Sequence, residues 1–453
     1  MNFTKYYFKY PLSNSANEYY IVHTLLACID ILSESDNAII DKWISCPDIV
    51  PDGENEEILF DQLQKRGYIV TPDDEIEMYN DAKNYCLKKR TQNAAQDDAV
   101  CFALTYQCNF KCPYCYEQNN NKSTSILTTE MVDKVFELKH DQISHIMFYG
   151  GEPFLPCNMD IIKYIIQKAP NSTYAAITNG YCLDEFIDIL KKVKVTFLQV
   201  TLDGDETIHN QTRVLKNGQP TFSKIIANID KCLEENIPIK IRMNISSSNV
   251  DSCIKLREEL IKKYLGKPLT FELQPIFQLD PDLRNTLSDK ISESDNATKH
   301  LFRPDTFDYN TILYTYSPIM MYLLSKQKTF YPICNNCDAE TSRRFYDADG
   351  DIYSCILSVG NKNAAIGTYF PEFKMKETSL ITRTVFTIEK CNNCNLAFLC
   401  GGGCAYGMGA SSGNMNQPNC SNITNTLTYQ IPQLLRNLQQ QKVSEGECIK
   451  EPG

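Results

Sequence analysis

An α/β fold is what this chain predicts, in the form of a partial (β/α)6 barrel flanked by a small N-terminal domain and a cysteine-rich C-terminal region. Three observations carry that reading. Between residues 97 and 330, short apolar runs alternate with stretches of helical period, the pattern of a parallel sheet whose strands are joined by helices. Before residue 97 the pattern differs, and after residue 330 Cys, Gly, Asn and Pro crowd together. At 453 residues the chain is long enough for roughly two to four domains with ample buried area.

The candidate strands are 100–106, 145–149, 174–178, 197–202, 239–245 and 270–273, and the candidate helices between them are 129–139, 159–168, 183–192, 222–235 and 250–264. Six such units make an open TIM-like barrel rather than a closed eight-fold one, and chemistry belongs at the carboxyl ends of its strands. In residues 1–96, Ile58, Leu59, Gln62 and Leu63 stand at helical spacing, followed by Gly67 and a strand-like 68–70. Helix, glycine turn and strand in that order predict a winged-helix-like domain. Residues 280–308 are polar and aperiodic, a connecting segment. Residues 331–428 hold too little periodic apolar sequence for a conventional core, so bound groups would have to organise them. A helix over 429–441 opens the tail, 429–453.

A net charge of −11 with a pI near 5.1 opposes binding to phosphate backbones, so no nucleic-acid partner is expected. Apolar runs are too short to cross a bilayer, and the start MNFTKYYFKY lacks the apolar stretch of a secretory signal. No membrane partner is expected, and the expected location is cytoplasmic. In that compartment 20 cysteines do not read as a disulfide framework, because thiols there stay reduced. Metal or redox chemistry is the better reading.

Cys108, Cys112 and Cys115 form C-x3-C-x2-C directly after the first barrel strand. Three thiolates on one short loop can hold three irons of a 4Fe-4S cube and leave the fourth iron open. Zinc with three thiolates and a remote ligand is the alternative that the spacing alone leaves. Tyr114, before the third cysteine, makes the loop resemble the C-x3-C-x-aromatic-C signature of the radical S-adenosylmethionine (SAM) superfamily. In that superfamily the open iron chelates the methionine moiety of S-adenosyl-L-methionine, and the resemblance implies the same here. Gly150, Gly151, Glu152 and Pro153 follow the second strand where the family has its next motif, and glycines there would let backbone oxygens approach the methionine ammonium. Thr178-Asn179-Gly180 ends the third strand. By the same resemblance Thr201 and Asp203, ending the fourth strand, lie near the ribose, and Arg213 partners the methionine carboxylate. The run from Thr201 to Gly218, with His209, looks like the matching segment of peptide-modifying members; Arg242 and Asn244 are weaker candidates. Taken singly, each of these residues is as readily a solvated Arg or a turn-capping Asp.

Cys391, Cys394, Cys400 and Cys404 give C-x2-C-x5-C-x3-C, preceded by Cys337 and Cys355 and followed by Cys420. This resembles the SPASM domain, which holds two auxiliary 4Fe-4S clusters in peptide-modifying radical enzymes, so the resemblance implies three 4Fe-4S clusters in all. It assigns Cys337, Cys355 and Cys404 to the first auxiliary cluster, with Cys334 as the candidate to complete it, and Cys391, Cys394, Cys400 and Cys420 to the second. An incomplete first cluster would instead be open to a substrate thiolate. Cys101, Cys157, Cys182, Cys232 and Cys253 read as small buried apolar groups. Asp349, Asp351 and Tyr353 are plausible neighbours of Cys355, and no catalytic acid or base is identified.

The activity so implied is reductive cleavage of S-adenosyl-L-methionine to a 5′-deoxyadenosyl radical. The radical then acts on a ribosomally made precursor peptide, forming a thioether or carbon–carbon crosslink. The leader peptide would bind residues 1–96 by strand addition, and flavodoxin or ferredoxin would donate the electron. Two other readings stand beside it. One is an anaerobic sulfatase-maturating enzyme forming formylglycine; such enzymes carry Asp right after the second SPASM cysteine, where this chain has Ile356. The other is a non-catalytic electron-transfer or zinc protein, which has no need of the Gly150–Pro153 motif.

Overall fold

The computed structural model describes residues 1–12, 17–95, 98–117, 123–275, 319, 330–407, 415–420, 423–424, 426–432 and 434–436. The chain divides into two compact units, Met1–Ala95 with Thr315–Thr341 and Ser379–Gly453, and Gln96–Tyr314 with Ser342–Thr378. The stretch 331–428, read from the sequence as one domain, therefore contributes 342–378 to the second unit and its flanks to the first. The expected connecting segment 280–308 and residues 433 and 437–441 of the expected tail helix lie outside the described residues.

In the first unit, β1 (Asn2–Phe3) pairs antiparallel with β5 (Ile69–Val70), and β2 (Tyr7–Pro11), β3 (Glu18–His23) and β4 (Ile29–Ser33) form an antiparallel sheet in that order. Ser33 starts α1 (Glu34–Ile44) through a capping box, its Oγ accepting from the backbone N of Asp36 at 3.1 Å. The sequence-expected helix is α2 (Glu54–Lys65), and Gly67, at φ +79°, makes the turn into β5. Ile21, Ile40, Trp43, Leu59, Leu63 and Tyr68 form the core beneath them; each fully buried Ile or Leu contributes about 1.5–3 kcal/mol. Helix α3 (Pro72–Ala95) buries Ala82 and Cys86. Arg90 on α3 donates to the carbonyls of Glu340 at 2.8 Å and Ile381 at 2.5 Å, tying the helix to the C-terminal segments of the same unit.

The second unit is built on β6 (Ala99–Ala103), β7 (His145–Tyr149), β8 (Thr173–Thr178), β9 (Lys194–Thr201), β10 (Ile239–Ile245) and β11 (Leu269–Pro275). These six lie side by side in sequence order and all run parallel, so their carboxyl ends share one edge. The connecting helices are α4 (Thr129–Leu138), α5 (Met159–Lys168), α6 (Glu206–Thr212), α7 (Phe222–Glu234) and α8 (Val250–Lys263). Burial follows the expected periods: Ile239, Ile241, Met243 and Ile245 alternate along β10, and α4 buries Met131, Val132, Val135 and Phe136 on one face. The expected helix over 183–192 is instead a 3-10 turn, Leu183–Glu185, and a one-turn helix, Ile187–Leu190. Between them Phe186 is drawn inward against Phe154, ring centroids 5.0 Å apart.

The expectation that the cysteine-rich region lacks a conventional core does not hold for 342–378. There β12 (Phe345–Asp347) adds parallel to β6, and β13 (Asp351–Tyr353), β14 (Gly367–Thr368) and β15 (Lys374–Met375) continue the sheet antiparallel. Phe345, Tyr353, Val359 and Ala365 are buried with Cys101, Ala103 and Tyr149. Strands of two or three residues are too short to show a period, and their apolar partners are supplied by β6 and β7, far away in sequence. Among the described residues, no helix is long and apolar enough to cross a membrane.

Candidate functional site

The sheet order brings the chemistry-bearing turns to one edge: the cysteine loop follows β6, Gly150–Pro153 follows β7, Asn179-Gly180 follows β8, and Leu202-Asp203-Gly204 follows β9. The cysteine loop is held on two sides by backbone bonds. On one side Gly151 N donates to Thr105 O at 2.8 Å and Glu152 N to Gln107 O at 2.9 Å. On the other, Lys111 N donates to Val214 O at 3.1 Å and Lys216 N to Asn109 O at 2.9 Å. This gives the two glycines a reason within the fold itself. A Cβ on Gly150 would lie 2.3 Å from Thr105 O, and one on Gly151 2.4 Å from Gln107 O, so the absent side chains let this turn dock on the root of the cysteine loop.

Glu152 is fully buried and serves as a strap between strand ends. Its carboxylate accepts from Thr178 Oγ1 at 2.6 Å, Asn179 N at 2.6 Å and Phe154 N at 2.9 Å. Burial raises its pKa, and these three donors oppose the rise. Pro153 is buried, with its carbonyl accepting from Asn158 at 3.0 Å. Asn179 also donates to Asn109 Oδ1 at 2.7 Å and reaches Cys108 Sγ at 3.8 Å.

Cys108, Cys112 and Cys115 are close enough for their charges to interact, and burial pushes the Cys108 thiol up to about 12. Buried thiolates of this kind need compensating positive charge, which a bound metal cluster provides. The donor set therefore fits such a group. Among the described residues no three Cys, His, Asp or Glu side chains converge on one ion-sized point; the loop presents separate thiol donors.

Arg213, Tyr114 and Asp203 form a chain of contacts beside the loop. Arg213 Nη1 donates to Tyr114 Oη at 2.7 Å, and Tyr114 Oη donates to Asp203 Oδ2. Asp203 also accepts from Asn244 N at 3.2 Å, while the Nε of buried Arg213 has no partner among the described residues. The guanidinium carbon lies 5.7 Å from the centre of the Phe110 ring. Thr201, at the end of β9, is buried and stands in register with Arg242, which pairs with Glu272 at 3.1 Å rather than with this group.

His209 is the buried base of the segment. Its Nδ1 accepts from Asp203 N at 3.4 Å and its Nε2 lies 3.1 Å from Thr221 Oγ1, whose own proton goes to Arg213 O at 2.5 Å. That pattern requires a neutral ring, and burial, aided by the Arg213 charge, lowers its pKa to about 3. The unfolded ring takes up its proton near about pH 6.5. Its contribution is therefore whole above about pH 6.5 and is lost as pH falls toward about 3, at no more than about 1.4 kcal/mol per pH unit. The stability advantage of the wild type over His209→Gln should shrink between pH 7 and pH 5 in urea melts; a gap that stays constant with pH would contradict this.

In the first unit Cys391, Cys394, Cys400 and Cys420 all lie within charge-interaction range, and burial raises Cys391 to about 11 and Cys400 to about 12. Gly407 N donates to Cys404 Sγ at 3.4 Å. Cys337 belongs to this unit, whereas Cys355 belongs to the other, where it caps the 3-10 turn Ile356–Ser358. Cys334 has a neighbour that spacing did not foresee. It lies with Cys86 of α3 in one buried cluster, and the closeness of the two thiols lowers the pKa of Cys334 and raises that of Cys86.

Two groups escaped the sequence reading altogether. Asp347, at the end of β12, is buried; it accepts from Tyr106 Oη at 2.6 Å and from Asp351 N at 2.7 Å, and burial raises its pKa to about 6. Arg383 is fully buried with Glu340 at 2.5 Å. The signal for Asp347 was its place in Asp-Ala-Asp-Gly before a strand; Arg383 gave none.

Residues 102–255 match the model described as the Radical SAM superfamily. A cysteine-type anaerobic sulfatase-maturating enzyme of Clostridium perfringens is 24% identical over 360 residues, 72% of this chain and 94% of that protein. The solved structure of native anSMEcpe with bound AdoMet and Cp18Cys peptide superposes with a TM-score of 0.56 at 19% identity, covering 76% of this chain and 99% of that one. Streptococcus suis SuiB bound to precursor peptide SuiA superposes with a TM-score of 0.52 at 14% identity, covering 93% and 99%. At those identities the two structures show likeness of fold. The stretch that carries Cys108, Cys112, Cys115 and the Gly150–Pro153 turn is therefore a radical SAM domain.

Proposed function

We propose that the chain is a three-cluster radical SAM enzyme that modifies a precursor peptide by forming a thioether or carbon–carbon crosslink. The observation that carries the reading is the cysteine loop, pinned by backbone bonds on both sides at the carboxyl edge of the sheet. When bound there, a 4Fe-4S cluster supplies the electron that cleaves S-adenosyl-L-methionine to methionine and a 5′-deoxyadenosyl radical. The residues of the chain position the reagent: the Gly150–Pro153 turn at the methionine end, Arg213 at its carboxylate, Thr201 and Asp203 at the ribose. Cys337, Cys355 and Cys404, with Cys334, are assigned to one auxiliary cluster, and Cys391, Cys394, Cys400 and Cys420 to the other. Support for the second set is the mutual proximity of its four thiols. Production of 5′-deoxyadenosine by anaerobically reconstituted protein under strong reductant tests the cleavage step, and its absence would end the reading.

The peptide assignment draws on the relatives and on residues 1–96, the winged-helix-like leader-binding domain of this proposal. The sheet β2-β3-β4 ends on β4, where Ile31 is exposed, a suitable edge for an added strand. Ile31→Asp is expected to weaken leader-peptide binding about tenfold, or about 1.4 kcal/mol; unchanged affinity would remove the idea. Deleting the whole segment is a poorer test, because Cys86 of α3 belongs to the core of its unit. A loss of about 2 mass units per modified peptide, located by fragmentation to a new bond between two residues, would indicate crosslinking. Formylglycine formation is the second reading, favoured by the similarity to the sulfatase-maturating enzyme and opposed by Ile356.

A further inference from the structure

We propose that Arg383 is the positioning residue that sets the auxiliary-cluster loops of the first unit in place, through a single guanidinium shared among three cysteine-bearing segments. The inference rests on the three-cluster reading above.

Arg383 has no solvent exposure, and all of its nitrogens are engaged. Nη1 donates to Glu340 Oε1 at 2.5 Å and to Gly403 O at 2.9 Å. Nη2 donates to Gly402 O at 2.7 Å and to Gln417 O at 3.1 Å, and Nε to Met415 O at 2.8 Å. The acceptors fall on three loops. Glu340 closes the Cys334–Glu340 loop, where it accepts from Asn336 N at 2.7 Å and its own N donates to Cys337 O at 3.1 Å. Gly402 and Gly403 are two of the three glycines between Cys400 and Cys404. Met415 and Gln417 lead into Cys420.

The glycines show that the loop is shaped to bring its carbonyls to this one cation. All three have positive φ, from +63° to +82°. A Cβ on Gly401 would meet Asn335 O at 2.5 Å, and one on Gly403 would meet Asn419 O at 2.0 Å, so the same loops that share the guanidinium also close onto the glycine backbone. Asn419 N donates back to Gly402 O at 3.0 Å. Four carbonyls and one carboxylate spread over three loops suit a planar guanidinium with five directed N–H bonds; a lysine ammonium has three and a single nitrogen from which to make them. The Arg383 charge is also felt at Cys391, so the residue stands near the thiols as well as behind the loops.

The test is Arg383→Lys, which keeps a positive charge facing Glu340 and removes the fan of bonds. Wild type and variant are reconstituted anaerobically with iron and sulfide, and iron per chain and the EPR spectra of the reduced clusters are read. Wild type is expected to bind about 12 irons, three cubes of four. Arg383→Lys should fall to about 8 or fewer, with altered auxiliary-cluster signals, while the signal of the Cys108 loop still responds to S-adenosyl-L-methionine. Methylguanidine added to Arg383→Ala during reconstitution should restore part of the lost iron, which a general folding defect would not allow. Arg383→Lys with full iron and unchanged auxiliary signals would overturn the positioning role, as would loss of iron from all three sites alike. A wild type that binds only about 4 irons would instead overturn the three-cluster reading itself.

Discussion

Cys112→Ala is expected to reduce 5′-deoxyadenosine formation to the level of a protein-free control. Cys112 is buried, and its carbonyl accepts from Cys115 N at 3.2 Å, which makes the tight turn that presents the last two thiols of the loop together. Three sulfurs are the smallest set that holds a cube and leaves one iron open. With two, the cube has a second weakly held corner and is lost or degraded. Partners one shell further from a metal cost roughly 10–100-fold when removed, so a direct ligand should exceed that range. Product chromatography with mass detection and iron analysis would measure the effect. Retention of more than about a tenth of wild-type cleavage would contradict the ligand assignment.

The second large effect is expected at a residue with no side chain. Gly150→Ala places a methyl 2.3 Å from Thr105 O at a φ of +122°, so it meets steric overlap with a backbone atom and an unfavourable backbone conformation at once. Overpacking against a backbone atom that cannot rotate aside costs about 1–3 kcal/mol. The φ strain adds about 1 kcal/mol or more. Gly218→Ala is the control: its φ is +87°, but its nearest neighbour is Lys111 Nζ at 3.8 Å, so it should show the conformational cost alone. Urea melts of the metal-free proteins should therefore separate the two variants by about 1–3 kcal/mol. Equal destabilisation would mean that the turn does not dock on Thr105 as described.

Both predictions concern loops whose meaning was partly legible in the sequence. The six strands and most of the helices were readable because each is a local periodic pattern, and the order of motifs put the candidate site at strand ends. The roles of individual residues were less legible. The glycines after β7 were read as making room for a ligand, and their missing Cβ atoms also make room for the carbonyls of Thr105 and Gln107. Glu152 was read as part of a binding motif, and its carboxylate is occupied by three donors of the fold itself.

What the sequence determined by itself was the alternation of strand and helix, the three-thiol loop and the spacing of the later cysteines, all properties carried by residues close together in the chain. Only the tertiary structure decided which distant groups meet: β12 beside β6, Cys86 against Cys334, Tyr114 between Arg213 and Asp203, and Arg383 among three loops. The physical reason is that a buried hydrogen bond or ion pair depends on geometry and exclusion of water, neither of which is written in local order. A lone Arg between two threonines carries no sign, in sequence, of whether water or four carbonyls will surround it.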